Sequence, residues 1–237
     1  MTDDDKCFEA FRVTDMLADI IEDVRPTVDE RFSKGTRFPY FQRYQTEDDK
    51  RNTWTLIFHC PSKEARRKHA YYTYCYTIYE VPPKRKLNDT NAGKGIIMFD
   101  PTAMRNARDG KKCFAAIVDI VPHAFNRYTM RYLKPKGIDN MQFEKKIENM
   151  VSRFMHFDVA ADMFGDDSAI KHKEKDAYPY DIIMRGGGML RGQLVNGGML
   201  LRFFTYVSED MYYDAQVERQ AEMVREHFRW KQKGMKL

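Results

Sequence analysis

The sequence predicts an α+β fold: a mostly antiparallel sheet of about five to seven strands with helices packed on it. Three observations carry this expectation. Apolar residues recur at helical spacing near both ends and again past the middle. Between them stand short runs of alternating aromatic and aliphatic residues, bounded by Gly, Pro and Asn. Few links between those runs are long enough for a parallel crossover. No segment reads as a linker. The expectation is one domain over residues 1–237, with 1–52 packing on an α+β core of 53–237.

In chain order, residues 6–25 read as an amphipathic helix with Phe8, Phe11, Leu17, Ile20, Ile21 and Val24 inward, ended by Pro26. Residues 30–52 read as a long connection pinned by Phe38, Tyr40 and Phe41. Residues 53–60 alternate as a strand, and 69–81 form a long aromatic strand stopped by Pro82 and Pro83. A polar loop over 84–94 leads to a short strand at 95–101. A near-continuous apolar run at 113–121 suggests a buried central strand. Pro122 suits a first helical position, and a helix follows over 123–133. A second spans about 141–157, and the charged stretch 158–177 looks irregular. Three strands are expected at 180–185, 189–195 and 199–207. Asn196, Gly197 and Gly198 turn the last two into a hairpin. Ser208 is a good N-cap for a final helix over about 209–231.

Composition narrows the function classes. Hydrophobic residues make up 43% and charged residues 32%, which excludes a collagen-like or wholly disordered chain. No apolar run is long enough to span a bilayer, so no membrane partner is expected. Residues 1–6 are acidic where a secretory signal would be basic, and Cys7, Cys60, Cys75 and Cys113 are scattered without a CxxC pair. Both features suggest reduced thiols and a cytoplasmic protein. The net charge of +5 is unevenly placed: residues 61–136 hold 16 Lys/Arg against 6 Asp/Glu, while 1–60 are net acidic. The basic clusters are Lys63/Arg66/Arg67/Lys68, Lys84/Arg85/Lys86, Arg105/Arg108/Lys111/Lys112 and Arg127/Arg131/Lys134/Lys136. Such clusters concentrate phosphate-bearing partners, although they also serve as ordinary solvated strand ends.

Within that segment, His123, Arg127 and Arg131 stand four residues apart. Each step of four advances about 40° around a helix, so the three share one arc. Phe125, Tyr128 and Tyr132 fall on the opposite arc. His123 then lies in a first helical turn, where the dipole favours anions and disfavours imidazolium. A neutral imidazole beside two fixed cations suits phosphodiester chemistry: the imidazole can take a ribose 2′-OH proton while forked guanidinium bonds hold the phosphate. The plainer alternative is a solvated polar helix face, with Arg131 paired to an acid such as Asp119.

A strand followed by a helix carrying H-x3-R-x3-R, here over residues 119–131, resembles a motif of RelE-like bacterial toxins and related small proteins of mobile elements. The resemblance implies a helix-plus-antiparallel-sheet core and RNA cleavage without metal. His123, Arg127 and Arg131 would be the catalytic residues.

Six glycines lie between Gly186 and Gly198, and they could wrap a phosphate or permit close backbone approach. Tyr72, Tyr74 and Tyr76 could stack unpaired bases or pack a core. Arg202 and Tyr206 could join a site near the sheet end, or serve solvent and packing. No metal-ligand or cofactor motif is visible, so neither a metal nor a cofactor is expected. The sequence therefore supports two functional expectations. One is an RNA-binding protein, with endoribonuclease activity as its catalytic form, steered by Lys63, Arg66, Arg67, Lys68, Lys84, Arg85 and Lys86. The other is a non-catalytic bacterial or phage accessory protein that binds a protein partner or self-assembles, for which the Met and Tyr content is suited.

Overall fold

A computed structural model of the chain describes residues 1–34, 37–68, 71–83, 92–111, 117–154, 159–161, 177–184 and 186–212, with scattered residues as far as 225. The fold is α+β with a mostly antiparallel sheet. Nine strands are described, more than the five to seven expected. The chain divides into two compact units: Met1–Glu80, Lys94–Asp119 and Gly198–Leu200 in the first, and Val81–Gly93, Ile120–Gly197 and Leu201–Leu237 in the second.

The first unit opens with helix α1 (Asp3–Ser33). Thr2 caps it: its hydroxyl accepts from the Asp5 N–H while the Asp5 carboxylate accepts from the Thr2 N–H, a reciprocal capping box. The helix runs through Pro26 instead of stopping there. A proline ring removes one ladder bond, but Val28 and Phe32 beyond it are fully buried and hold the last turns in place. The inward strip also differs from the expected one. Cys7, Ala10, Val13, Leu17, Ala18 and Ile21 are buried, while Phe8 is 61% and Phe11 41% exposed. The small residues Ala10 and Ala18 let the helix approach closely, and the bulkier rings fall to its flank.

Strands β1 (Tyr40–Glu47), β2 (Thr53–Cys60), β3 (Tyr72–Val81), β4 (Gly93–Phe99) and β5 (Ile117–Ile120) follow in that lateral order. Strand β1 lies where a connection was expected. It pairs antiparallel with β2, from Tyr40 opposite Cys60 to Glu47 opposite Thr53. Its hairpin is organised by Asp48, whose carboxylate accepts from the N–H groups of Lys50 and Asn52, from Asn52 Nδ2, from the Trp54 indole and from Arg12. Burial raises the Asp48 pKa, but these donors outweigh it and hold the carboxyl far below the usual range. Two short helices were not anticipated, although their caps were readable. Ser62 caps α2 (Lys63–Arg67), and Asp100 caps α3 (Pro101–Arg108), which therefore begins where β4 was expected to continue.

The second unit contains α4 (Pro122–Tyr128), α5 (Phe143–Phe154), β6 (Val159–Ala161), β7 (Tyr178–Ile183), β8 (Met189–Val195) and β9 (Leu200–Val207). Its strands lie in the lateral order β9-β8-β7-β6. The expected hairpin forms, with Asn196 and Gly197 both at positive φ between β8 and β9. At Gly192 of β8, a Cβ would come within 2.1 Å of the Arg202 carbonyl oxygen, so the two strands approach too closely for any side chain. The expected final helix falls largely outside the described residues. Ser208 makes no side-chain cap and precedes a 3-10 turn, Glu209–Met211.

Candidate functional site

Pro122 starts α4 as expected, with its φ already helical and no N–H to leave unpaired. The helix then widens into a π turn, Thr129–Leu133, and closes through a 3-10 turn to Gly137 in the left-handed region. Pro135 cannot donate to the carbonyl one turn back. The ladder has already shifted by then, with the Lys134 N–H reaching the Thr129 carbonyl. Single π turns recur at functional sites.

Phe125 and Tyr128 are buried, so the helix packs by the arc the sequence indicated, with Tyr132 half-buried beside them. His123 and Arg127 are half-exposed on the other arc. Arg127 Nε donates to His123 Nε2 at 3.3 Å, with that imidazole nitrogen as the acceptor. Arg131 is engaged differently: its Nη1 donates to the Tyr206 carbonyl of β9 at 2.8 Å. Burial and the nearby Arg127 lower its pKa, and Asp210 partly offsets them. His123 and Arg127 are therefore joined to each other on the arc, and Arg131 anchors the π turn to β9.

Behind this arc lies Arg153 of α5, which no sequence signal singled out. Its guanidinium lies 3.4 Å from the Tyr132 ring centre, 5.5 Å from that of Tyr128 and 5.9 Å from that of Tyr206. It also donates to the Gly187 carbonyl, as does the Tyr206 hydroxyl at 3.1 Å. Tyr128 donates to Asn149 at 2.5 Å, and burial pushes the Tyr128 phenol above its ordinary range. The glycine run serves this packing. Gly186, Gly187 and Gly188 all have positive φ, and a Cβ at Gly188 would meet the Tyr206 hydroxyl at 2.1 Å. The Gly187 carbonyl, turned toward Arg153, presents an oxygen where a phosphate cradle would need N–H groups.

The steering cations separate into several kinds. Lys63, Arg67 and Lys68 are exposed on and after α2. Lys68 pairs with Glu64 at 3.0 Å. Arg66 donates to the Ser33 carbonyl at 3.3 Å and covers the Phe38 ring at 5.7 Å. Lys84, Arg85 and Lys86 lie outside the described residues. Arg105 and Arg108 of α3 face the acidic side of α1: Arg105 binds Asp19 and Glu22, and Arg108 forks onto Asp15. Part of the basic excess of 61–136 thus neutralises the acidic N-terminal helix within the first unit.

The tyrosine strand β3 resolves against a ligand role. Tyr74 and Tyr76 are each 2% exposed and belong to the core, so a base-stacking stripe is not available there. Asp119 is fully buried and is held by Lys6 at 2.5 Å and by the Tyr79 hydroxyl at 2.7 Å. Burial and the Asp119 charge drive the Tyr79 phenol far above its ordinary range. Among the described residues no cluster of His, Cys, Asp or Glu is placed to hold a metal ion, and no helix is long and apolar enough to cross a membrane.

Comparison of the chain with protein-family models, with curated proteins and with solved structures finds no match.

Proposed function

We propose that the chain binds RNA and cleaves it without metal, with the His123–Arg127 pair as the phosphate site. The observation that carries this reading is the bond from Arg127 Nε to His123 Nε2 on a half-exposed helical arc. At rest the guanidinium occupies the lone pair a base would need. A phosphate offers Arg127 a charge-assisted, forked partner that outcompetes a neutral imidazole. Arg127 then turns to the phosphate, and His123 Nε2 is released to take the proton of a ribose 2′-OH. The 2′-oxygen attacks phosphorus, the bond to the 5′-oxygen breaks, and water supplies the proton to the leaving oxygen. The products are a 2′,3′-cyclic phosphate and a free 5′-hydroxyl. Arg127 neutralises the charge that builds on the phosphoryl oxygens. Arg131, tied to β9, keeps the helix in register, and Lys63, Arg67 and Lys68 supply long-range attraction.

The test is RNA degradation by the purified chain, with cyclic phosphate ends identified in the products. His123→Ala should abolish cleavage while leaving RNA binding and the unfolding midpoint unchanged. Arg127→Ala should reduce both cleavage and the salt dependence of binding. Intact RNA after incubation with wild-type protein would remove the catalytic reading. A salt dependence unaltered by Arg127→Ala would remove the phosphate site.

A second reading, a non-catalytic protein acting through a protein partner or through self-assembly, draws on Phe8 and Phe11, which are exposed on α1 near the exposed Met1. Its measure is the solution mass of wild type against a Phe8→Ser/Phe11→Ser variant. An unchanged mass and no loss of partner capture would count against it.

A further inference from the structure

Strand β1 ends the lateral order of the first unit, and among the described residues no strand lies beyond it. An edge of eight residues offers another chain a row of backbone donors and acceptors. The hairpin fixes which residues face that edge. The Asp48 N–H donates to the Asn52 carbonyl at 3.1 Å, so Asp48 and Asn52 begin the β1–β2 ladder as a hydrogen-bonded pair. Back along β1 the bonding alternates. Tyr40, Gln42, Tyr44 and Thr46 turn their backbone groups toward β2, and Phe41, Arg43, Gln45 and Glu47 turn theirs outward.

Edge strands are commonly blunted by a proline, a bulge, lysines or short length. β1 has none of these: Tyr40–Glu47 includes no Pro or Lys, and its register with β2 runs unbroken from end to end. Its charged residues are Arg43 and Glu47, opposite in sign and four apart, so they share one face of the sheet. Phe41 on that face stacks on His59 at 4.5 Å, while Tyr40 on the other face meets Phe32 of α1. Gln45, midway between the charges, is exposed, as is Glu47.

A second copy paired antiparallel on this edge is related to the first by a two-fold axis. Directly opposed residues point to the same face, so the axis passes beside one residue and its own copy, never between two positions. An axis at Arg43 opposes two guanidinium groups, which is repulsive. One at Tyr44 sets Glu47 against Phe41. The axis at Gln45 sets Arg43 opposite Glu47 of the second copy, and Glu47 opposite Arg43 of the second copy, so both contacts are attractive. Gln45 then meets its own copy, and the outward backbone groups of Arg43, Gln45 and Glu47 supply the ladder.

We infer that the β1 edge is a homodimer interface, joining two copies of the chain through an antiparallel strand pair about a two-fold at Gln45. None of these residues belongs to the proposed phosphate site, so the two readings fail or survive separately. The contact also differs from the Phe8 and Phe11 patch on α1.

The test is the solution mass of the full-length chain, by sedimentation equilibrium up to about 100 μM. Wild type should dimerise in that range. Glu47→Arg sets like charges opposite each other and should weaken the dimer about tenfold or more. Arg43→Glu/Glu47→Arg exchanges the signs and should restore it. Gln45→Cys should link two chains on mild oxidation, because the Cα atoms of such a pair lie within disulfide reach, and Asp49→Cys in the adjoining turn should not. A monomer throughout overturns the inference and leaves the edge to a strand from another protein. So does a dimer that Glu47→Arg leaves unchanged at a matching unfolding midpoint, or equal linking by the two cysteine variants. A dimer dissolved by Phe8→Ser/Phe11→Ser and kept by Glu47→Arg overturns it too, and places the contact on α1. If Glu47→Arg lowers the unfolding midpoint, the charge exchange and the cysteine variants decide.

Discussion

Replacing Lys6 by Met should be among the most destabilising single changes in the first unit. The side chains of Lys6 and Asp119 are 7% and 0% exposed, and they meet at 2.5 Å. Removing the ammonium takes the Lys6 charge away from a carboxylate whose side chain is 0% exposed. Breaking a buried pair from one side costs about 3–5 kcal/mol. Against a typical domain stability of about 5–15 kcal/mol, that is a large fraction. In thermal terms it corresponds to a fall of about 10 °C in Tm for a chain of this size. The assay is urea unfolding followed by circular dichroism, on wild type, Lys6→Met, Asp119→Leu and the double variant. The double variant should recover most of the loss, because an apolar pair of similar volume needs no charge compensation. A Lys6→Met cost under about 1 kcal/mol, or a double variant as weak as the two losses added, would refute the reasoning.

Three further outcomes are expected. Asp48→Asn should cost about 2 kcal/mol by weakening the charged hydrogen bonds of the β1–β2 hairpin, measured by urea unfolding at neutral pH. Because the Asp48 pKa is depressed on folding, its contribution is full above about pH 4 and is lost as the pH falls further, so the variant should be less acid-sensitive than wild type. Gly192→Ala should cost about 1–3 kcal/mol or more, since the methyl group meets a backbone oxygen that cannot rotate away; an unfolding midpoint equal to wild type would show the strands can part. Tyr79, Tyr128 and Tyr212 all have phenols raised by burial, so their neutral forms stabilise the fold below about pH 10, and that contribution is lost as pH rises beyond it. Phenolate absorbance should therefore rise together with loss of structure in alkali, and a separate earlier step for these groups would contradict it.

What was legible in the sequence followed from short-range pattern. β2 was readable because Trp54, Leu56 and Phe58 alternate in a hydrophobic run, and the β8–β9 hairpin because Asn196 and Gly197 tolerate positive φ. The His123–Arg127 contact is an i,i+4 pair on one helix, which spacing alone can place. β1 was missed because its half-buried mix of aromatic, amide and charged residues resembles a connection until its partner is known. The end of α1 was misplaced because Pro26 weakens a helix locally, whereas Val28 and Phe32 hold it through tertiary burial. The Lys6–Asp119 pair was not legible because the two residues are 113 apart and carry no local signal. Arg153 was overlooked for the same reason: nothing within α5 announces three tyrosine rings from other elements.

That separation of Lys6 from Asp119 bears on how the chain is made. Helix α1 leaves the ribosome before its ionic partners in α3 and β5, which lie 83 to 113 residues later. Until they emerge, the helix has an apolar strip and an acidic flank with nothing to dock on, and closing such long loops is slow. Synthesis therefore passes through an interval in which the first unit is a waiting helix and a growing sheet. Chaperone capture during that interval should favour the apolar strip that the finished protein hides.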